Sequence, residues 1–258
     1  MRTLSIRARY SGPKNSENNV PQFFIKNEDM ADGKAVIRGE DCHHLINVRR
    51  VKTGDLLRVR SENGKGYISR ISEVGNSEIF LTMLEETGPN QVPVDISLYM
   101  ALIKGGNFEF VLQKAVEVGV NRIIPVISSR TVPDPAKKLE EKHTRWGKII
   151  SGAAKQCFRS NMPSIEYPLS FADTVKNDNS MMKLIAHPGA VTELRDYLSS
   201  SEKPESVSLL VGPEGGFSET EISSASENGW APVNFGTTHL RAETAAIILP
   251  SLLIYQWS

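Results

Sequence analysis

The chain has few cysteines and no long apolar run. Cys42 and Cys157 lie far apart among 258 residues and show no CxxC spacing. This pattern argues against a disulfide framework and against a zinc site, and it is typical of a reducing compartment such as the cytoplasm. The longest apolar run, residues 245–255, is shorter than the ~18 residues that a membrane span needs, and it contains Pro250. We therefore expect no membrane segment and no metal site.

The chain also has no net charge, with 30 basic and 30 acidic side chains, but the two signs are separated along it. Residues 122–160 contain nine basic and three acidic side chains, whereas residues 161–258 contain five basic and twelve acidic ones. A concentrated basic segment in a neutral protein is either a phosphate-binding face or a solvated face of a helix. Both interpretations remain open for residues 122–160.

The first twenty residues lack an apolar segment, and no acidic residue precedes Glu17. The basic side chains of this region are Arg2, Arg7, Arg9 and Lys14. Without an apolar segment the region is not a secretory signal. We interpret residues 1–21 either as a disordered extension of a cytoplasmic protein or as a transit peptide for a chloroplast or mitochondrion.

Apolar periodicity divides the rest of the chain into two domains. Residues 22–88 contain five short apolar runs separated by Gly, Asn and Asp, which predicts a small β-barrel, interrupted by a helix over residues 41–51. Residues 86–95 contain two prolines and a glycine and are typical of a linker. Residues 94–258 alternate strand-like and helix-like segments, which predicts an α/β domain with a parallel sheet. The helices of this domain are predicted at residues 107–118 and 138–158, and from Thr192, Glu219 and Ala242 onward.

One predicted strand of this second domain runs into residues 212–216, with the sequence GPEGG. Ser218 is expected to cap the following helix, with Glu221 as its partner in a capping box. Adjacent glycines permit a ligand to approach the backbone closely, and a plain tight turn needs fewer of them. No Gly-Lys-Ser/Thr sequence follows and the loop is not GxGxxG, so ATP and NAD are not the expected ligands.

Two further strands also end in loops with polar chemistry. One ends at Gly236, and Arg241 and Glu243 follow at the start of the last helix, where an arginine is either solvated or functional. The other ends within residues 185–190 (IAHPGA), where His187 is either a ligand or base or a hydrogen-bonded loop histidine. Ligands of open parallel sheets bind beyond the carboxyl ends of the strands, so these loops are candidates for one site.

The segments around these loops resemble the motifs of RsmE-type methyltransferases of the SPOUT class. The matching strings are LVGPEGGFS, FGTTHLRAETA, KGGNFEFVLQKAVEVGVNRIIPVISSRTV, KIISGAAKQCFRSNMPSIEYP and HHLINVRRVKTGD. The resemblance covers residues 22–258, and the combination of motifs is far more specific than GPEGG alone. It implies a PUA-like β-barrel RNA-binding domain at residues 22–88 and a trefoil-knotted SPOUT domain at residues 94–258.

The resemblance also implies an activity. The expected enzyme is a homodimer that uses S-adenosyl-L-methionine to methylate N3 of a specific uridine in small-subunit (16S-type) ribosomal RNA, with that RNA or the small ribosomal subunit as its partner. Two alternatives stay open: a non-catalytic RNA-binding ribosome-assembly factor, and a SPOUT methyltransferase that acts on transfer RNA.

Site residues follow from the matching positions. The cofactor is expected to lie against Ala186, Leu210, Gly212, Pro213, Glu214, Gly215, Gly216, Phe235, Gly236, Leu240, Arg241 and Thr244. The catalytic candidates are Arg130, Arg159 and Arg241, which either stabilise negative charge on the uridine carbonyl oxygens or anchor phosphates, and Glu214, which either orients the base or braces its loop. The RNA-binding candidates are Arg49, Arg50, Lys104, Lys148, Lys155 and Arg159.

Three positions depart from the family pattern. Gln22 stands where relatives have an arginine, Thr238 and His239 stand where relatives usually have Arg-Ile, and Ala242 replaces a common threonine. Because Leu240 is kept beside them, we expect cofactor binding to be preserved and substrate handling to differ.

Overall fold

The computed structural model describes residues 20–132 and 138–258. The described residues form two compact units, which are divided between Gly88 and Pro89. The extension predicted at residues 1–21 lies outside the described residues except for Val20 and Pro21. No helix in the described ranges is both long enough and apolar enough to cross a membrane.

The N-terminal unit contains one six-stranded sheet. Its strands are β1 (Gln22–Ile25), β2 (Met30–Ala31), β3 (Lys34–Arg38), β4 (Leu56–Ser61), β5 (Gly66–Val74) and β6 (Glu78–Thr87), in the order β1-β4-β5-β6-β3-β2. Strands β1 and β4 are parallel, and the other neighbours are antiparallel. In β3 the side chains of Ala35 and Ile37 are buried while Lys34 and Arg38 are exposed, which is the period of two that makes the strand visible in the sequence.

The helix of this unit begins earlier than predicted. Helix α1 covers Gly39–His44 and continues as a π-helical turn at Leu45–Arg49, whereas the prediction was residues 41–51. Arg50 ends the helix with a φ of 53°, in the left-handed region. Cys42 and Leu45 are the buried side chains of the segment, and they join the core of the sheet.

The C-terminal unit is an α/β domain with a parallel sheet, as predicted. Its strands are β7 (Asp95–Ala101), β8 (Arg122–Ile127), β9 (Ser164–Ile165), β10 (Leu169–Ser170), β11 (Met182–Ala186), β12 (Ser206–Val211) and β13 (Ala231–Val233). The order is β10-β8-β7-β12-β11-β13, with β9 beside β8, and every pairing is parallel. Strands β7 and β12 are central and almost continuously buried, as expected for strands covered on both faces.

Among the described residues of this unit, five helices connect these strands and a sixth follows the last strand. They are α2 (Asn107–Val118), α3 (Leu139–Gln156), α4 (Phe171–Asn177), α5 (Leu194–Ser199), α6 (Glu219–Glu227) and α7 (Ala242–Gln256). Helix α4 was not predicted, although the hydroxyl oxygen of Ser170 accepts a hydrogen bond from the Asp173 amide, a capping signal that the sequence contains. The capping box of Ser218 and Glu221 at the start of α6 is confirmed.

One buried cluster packs beneath the loops at the carboxyl edge of the sheet. The rings of Phe171 and Phe217 lie 5.3 Å apart, and those of Tyr99 and Trp230 meet edge to face at 5.6 Å. The indole of Trp230 donates to the Val175 carbonyl, so its buried polar atom is satisfied. Phe217 therefore anchors the end of the 212–216 loop in the core.

Candidate active site

A cleft of about 730 Å³ opens at the carboxyl edge of the parallel sheet. Its walls come from segments that are far apart in sequence: Arg130 after β8, residues 186–189 at the end of β11, residues 211–217 after β12, Phe235 after β13, and residues 239–243 at the start of α7. Because all the strands are parallel, their carboxyl ends meet at one edge, and the loops that follow them converge there.

The glycines of residues 212–216 differ in how a side chain would fit at each position. A Cβ atom at Gly212 would lie 3.1 Å from Cε2 of Phe217, and one at Gly215 would lie 3.4 Å from Cδ of Arg130. Gly216 has a φ of +67°, which an L side chain rarely adopts, and its amide donates to the Pro213 carbonyl at 2.9 Å. Gly212 and Gly216 thus satisfy separate geometric requirements of the loop, whereas a Cβ atom at Gly215 would make an ordinary contact with Arg130.

Two contacts join this loop to other segments of the cleft. The Lys104 amide donates to Oε1 of Glu214 at 3.0 Å, which links the loops after β7 and β12. The guanidinium of Arg130 donates through Nη1 to the Gly215 carbonyl at 2.6 Å. The Glu214 contact is the bracing interaction that the sequence left as one of two alternatives.

Both signs of charge border the cleft. Arg130 and Arg241 are exposed on its walls, and Arg241 precedes the first turn of α7. The acidic side chains of the lining are Glu214, Glu219 and Glu243, and the histidines are His187 and His239. Cationic and anionic parts of one ligand can therefore both find partners here.

A buried carboxylate lies behind the cleft wall. Glu221 is 8% exposed, and it accepts hydrogen bonds from the amides and hydroxyls of both Ser129 and Ser218. Burial alone would raise the pKa of Glu221, but these hydrogen bonds outweigh burial and hold the pKa below its ordinary value.

Most of the predicted cofactor residues line the cleft, and three do not. Those that do are Ala186, Gly212, Pro213, Glu214, Gly215, Gly216, Phe235, Leu240 and Arg241. Leu210 is fully buried in the core instead, and Gly236 lines a smaller cavity of about 200 Å³ that shares Phe235 and His239 with the cleft. Thr244 is half-buried in the first turn of α7 and is not part of the lining.

The cleft also contains residues that were not assigned a site role from the sequence. They are Asn107, Pro188, Gly189, Val211, Phe217, Glu219, His239, Ala242 and Ala245. His187 and Glu243, which the sequence placed in candidate loops, line the cleft as well. Pro188 and Gly189 come just after β11 and His187 in the IAHPGA segment, so the signal for them was present in the sequence. A Cβ atom at Gly189 would lie 2.9 Å from Nε2 of His187, so a larger residue there would require the imidazole to move.

The RNA-binding candidates occupy several surfaces. Lys104 is exposed beside the cleft, Lys148 is exposed on α3, and Lys155 is half-buried near the end of that helix. In the N-terminal unit Arg49 and Arg50 are exposed at the end of the π-helical turn.

Arg159 has a different place from the one predicted. Its side chain is 6% exposed and donates to the Val116 carbonyl at 3.2 Å and to the Asn121 side chain. Asn121 directly precedes β8, so Arg159 lies at the amino edge of the sheet, opposite the cleft. The guanidinium therefore does not line the cleft, and the catalytic and RNA-binding roles of Arg159 stay predictions.

Comparisons with known proteins assign the chain to a family. A model of an RNA methyltransferase domain matches residues 90–254, and a model of an RNA methyltransferase PUA domain matches residues 37–84. The chain belongs to this RNA methyltransferase family. Its resemblance to RsmE-type proteins is confirmed by curated relatives named ribosomal RNA small subunit methyltransferase E. That of Mesomycoplasma hyopneumoniae is 31% identical over 79% of this chain and 89% of its own length, and that of Bacillus subtilis is 29% identical over 85% and 89%.

Solved structures of this methyltransferase family agree. A methyltransferase of Legionella pneumophila, in complex with the cofactor SAM, has a TM-score of 0.82 at 32% identity and covers 91% of this chain and 96% of its own. The ribosomal RNA small subunit methyltransferase E of Neisseria gonorrhoeae, bound to S-adenosyl methionine, has a TM-score of 0.81 at 26% identity and covers 92% and 98%.

The position of Arg159 in this methyltransferase fold predicts a structural role. We expect Arg159→Ala to lower the free energy of unfolding by roughly 1–3 kcal/mol, because buried acceptors of α2 and Asn121 lose their donor. Lys148→Ala, on the exposed face of α3, is the matched control and should change stability by less than about 0.5 kcal/mol. Urea denaturation of both variants measures the difference, and equal stabilities would contradict the assignment.

Proposed function

We propose that the protein is an S-adenosylmethionine-dependent methyltransferase that methylates N3 of a specific uridine in small-subunit ribosomal RNA. The observation that carries this proposal is the cleft at the carboxyl edge of the sheet, built around the glycine-rich loop at residues 212–216. The methyltransferases of L. pneumophila and N. gonorrhoeae, whose folds this chain shares, bind S-adenosylmethionine. The relatives that share most of its length are named for the small-subunit ribosomal RNA.

The residues of the cleft suit this cofactor. A volume of about 730 Å³ is in the range of small-molecule sites. Val211, Phe217 and Leu240 offer apolar walls to an adenosine, and the exposed loop backbone offers polar groups to its edges. The carboxylates that border the cleft suit a sulfonium and an ammonium, while the arginines suit a carboxylate. We propose that the cofactor is held by Ala186, Gly212, Pro213, Glu214, Gly215, Gly216, Phe235, Leu240 and Arg241.

When bound, the cofactor supplies an electrophilic methyl group. The protein has to orient the uridine and stabilise the negative charge that N3 and its flanking carbonyl oxygens acquire on losing the N3 proton. Arg130 and Arg241 border the cleft and present planar guanidinium donor forks, so we propose that they stabilise this charge. Because N3 lies on the Watson–Crick edge, the target base has to be unpaired.

Basic side chains outside the cleft suit the RNA backbone. Lys104 stands next to the cleft, and we propose that it contacts a phosphate near the target nucleotide. Lys148, Arg49 and Arg50 are exposed and would add further phosphate contacts, which makes the affinity dependent on salt. A ribosomal RNA substrate implies a location where ribosomes are assembled, and we propose the cytoplasm.

An apolar helix face supports a dimer. Ile248, Leu252 and Tyr255 follow one face of α7 and are 41%, 42% and 82% exposed. Phe110 on the neighbouring helix α2 is 47% exposed. Exposed apolar patches of this kind mark protein contacts. We propose that this face pairs with a second copy of the chain.

We also propose that the C-terminal unit is threaded in the trefoil knot implied by the SPOUT resemblance.

Cofactor binding tests the role of the glycine-rich loop. Gly215→Val should weaken binding of S-adenosylmethionine at least about tenfold, because a branched side chain would meet Arg130 and fill the wall of the cleft. Gly152→Val, at a helix position where an added Cβ meets nothing within 4 Å, is the control and should bind like the wild type. Calorimetry gives both affinities. A wild type that does not bind the cofactor would overturn the proposal.

Methyl transfer itself tests the substrate. With labelled cofactor, we expect one methyl group per small subunit that lacks the modification, and nuclease digestion with mass spectrometry should identify 3-methyluridine. Arg241→Ala should lower turnover about 100-fold or more with an unchanged melting temperature, since it removes a group that stabilises charge. Arg195→Ala, an exposed arginine on α5, should keep full activity. Methylation of transfer RNA alone, or cofactor binding without transfer, would contradict the proposal.

The dimer has its own test. Leu252→Glu places a charge in the apolar face of α7 and should give a monomer in sedimentation velocity at concentrations where the wild type is a dimer, because a buried unpaired charge is costly. Ser226→Glu, on the exposed side of α6, should remain dimeric. A monomeric wild type, or a dimeric Leu252→Glu, would show that this face is not the interface.

A further inference from the structure

Residues 128–131, which directly follow β8, form a self-bonded turn beside the cleft. The Ser128 amide donates to the Thr131 hydroxyl at 2.9 Å, and the Thr131 amide donates to the Ser128 carbonyl at 3.1 Å. Between them, Arg130 reaches the Gly215 carbonyl, 85 residues away in sequence. This turn therefore places the guanidinium of Arg130 at the wall of the cleft. A shift of the turn would move the guanidinium away from the Gly215 carbonyl.

The carboxylate of Glu221 is the contact that fixes this loop from behind. Oε1 accepts from the Ser129 amide at 2.7 Å, and Oε2 accepts from the Ser129 hydroxyl at 2.9 Å. Oε2 also accepts from the Ser218 amide at 2.8 Å, which completes the capping box of α6. Capping requires only the bond to Ser218. The two bonds to Ser129, 92 residues distant in sequence, are additional and join the loop after β8 to the helix that follows the glycine-rich loop.

Replacement of this carboxylate by an amide would break the arrangement. All four groups around it are hydrogen-bond donors, so an ionised carboxylate can accept from all of them, and hydrogen bonds to a charged acceptor are the strong ones. A glutamine has one acceptor oxygen, and its NH₂ group would face donors. Glu221 is buried while Ser129 is exposed, so water reaches the Ser129 end of these bonds more easily than the carboxylate end.

We propose that Glu221 is a positioning residue for the methyl-transfer site: it clamps Ser129 so that Arg130 stays on the Gly215 carbonyl and closes the wall of the cofactor cleft. The proposal rests on the proposed function, since it assumes that this cleft holds S-adenosylmethionine. It differs from the role of a helix cap, because a cap stabilises α6 whether or not Arg130 is present.

A double-mutant cycle separates the two roles. We expect Glu221→Gln and Arg130→Ala each to weaken S-adenosylmethionine binding about tenfold in calorimetry, and the double variant to bind no more weakly than Arg130→Ala. Glu227→Gln, exposed at the other end of α6, is the charge-matched control and should bind like the wild type. The same four proteins are compared in kcat and in the KM for S-adenosylmethionine during methyl transfer. Glu221→Gln should change these constants in the wild-type background and have no further effect in the Arg130→Ala background.

A second pair of variants leaves the helix cap intact. Ser129→Ala removes one bond to Glu221 and should weaken cofactor binding about two- to fivefold with an unchanged melting temperature, whereas Ser129→Thr keeps the hydroxyl and should restore affinity. If Glu221→Gln does not fold, Ser129→Ala takes its place in the cycle with Arg130→Ala.

The outcomes discriminate between the claims. Additive effects of Glu221→Gln and Arg130→Ala, or wild-type affinity of Glu221→Gln, would overturn the positioning role while leaving the proposed function intact. A wild type that does not bind the cofactor would overturn both.

Discussion

The parallel direction of the strands in the C-terminal sheet is the constraint on which the site depends. Strands β7, β8, β11, β12 and β13 all run the same way, so the segments that follow them leave the sheet at one edge. These strands are largely apolar and buried, and the carboxyl-edge cleft is lined mainly by the loops that follow them. Function has to come from the loops, and the parallel sheet is what gathers loops from five distant stretches of sequence around one cleft.

The loops at this edge are also joined to one another. Carboxylate side chains accept hydrogen bonds from residues that are about 100 positions away in sequence. Glu214 accepts from the Lys104 amide across 110 residues, and Glu221 accepts from Ser129 across 92. Each contact pairs a carboxylate with backbone, which fixes main-chain position as well as side chains. A wall held before the ligand arrives lowers the ordering cost of binding, and it keeps the arginines where charge develops during reaction.

The sequence predicts the local features well and the long-range ones poorly. Helix α2 has the predicted bounds Asn107–Val118, and the capping box of Ser218 and Glu221 is confirmed, because both depend on neighbours within a few residues. The partners of Arg159 are backbone and amide groups about 40 residues away, so its charge suggested an exposed role that its burial contradicts. The contact of Glu221 with Ser129 could not be predicted either, because the two residues are 92 positions apart in sequence. Helix α4 was missed because it has only seven residues, which is too short to show the apolar periodicity of a helix.

The most direct test of the account is a crystal structure of the protein with S-adenosylmethionine. The account predicts cofactor density in the carboxyl-edge cleft, in contact with residues 212–216 and with Leu240 and Arg241, and with Arg130 still on the Gly215 carbonyl. Density elsewhere would contradict it. The clearest contradiction would be cofactor in the cleft of about 570 Å³ that Tyr99, Arg122 and Asp178 line near the amino ends of β8 and β12.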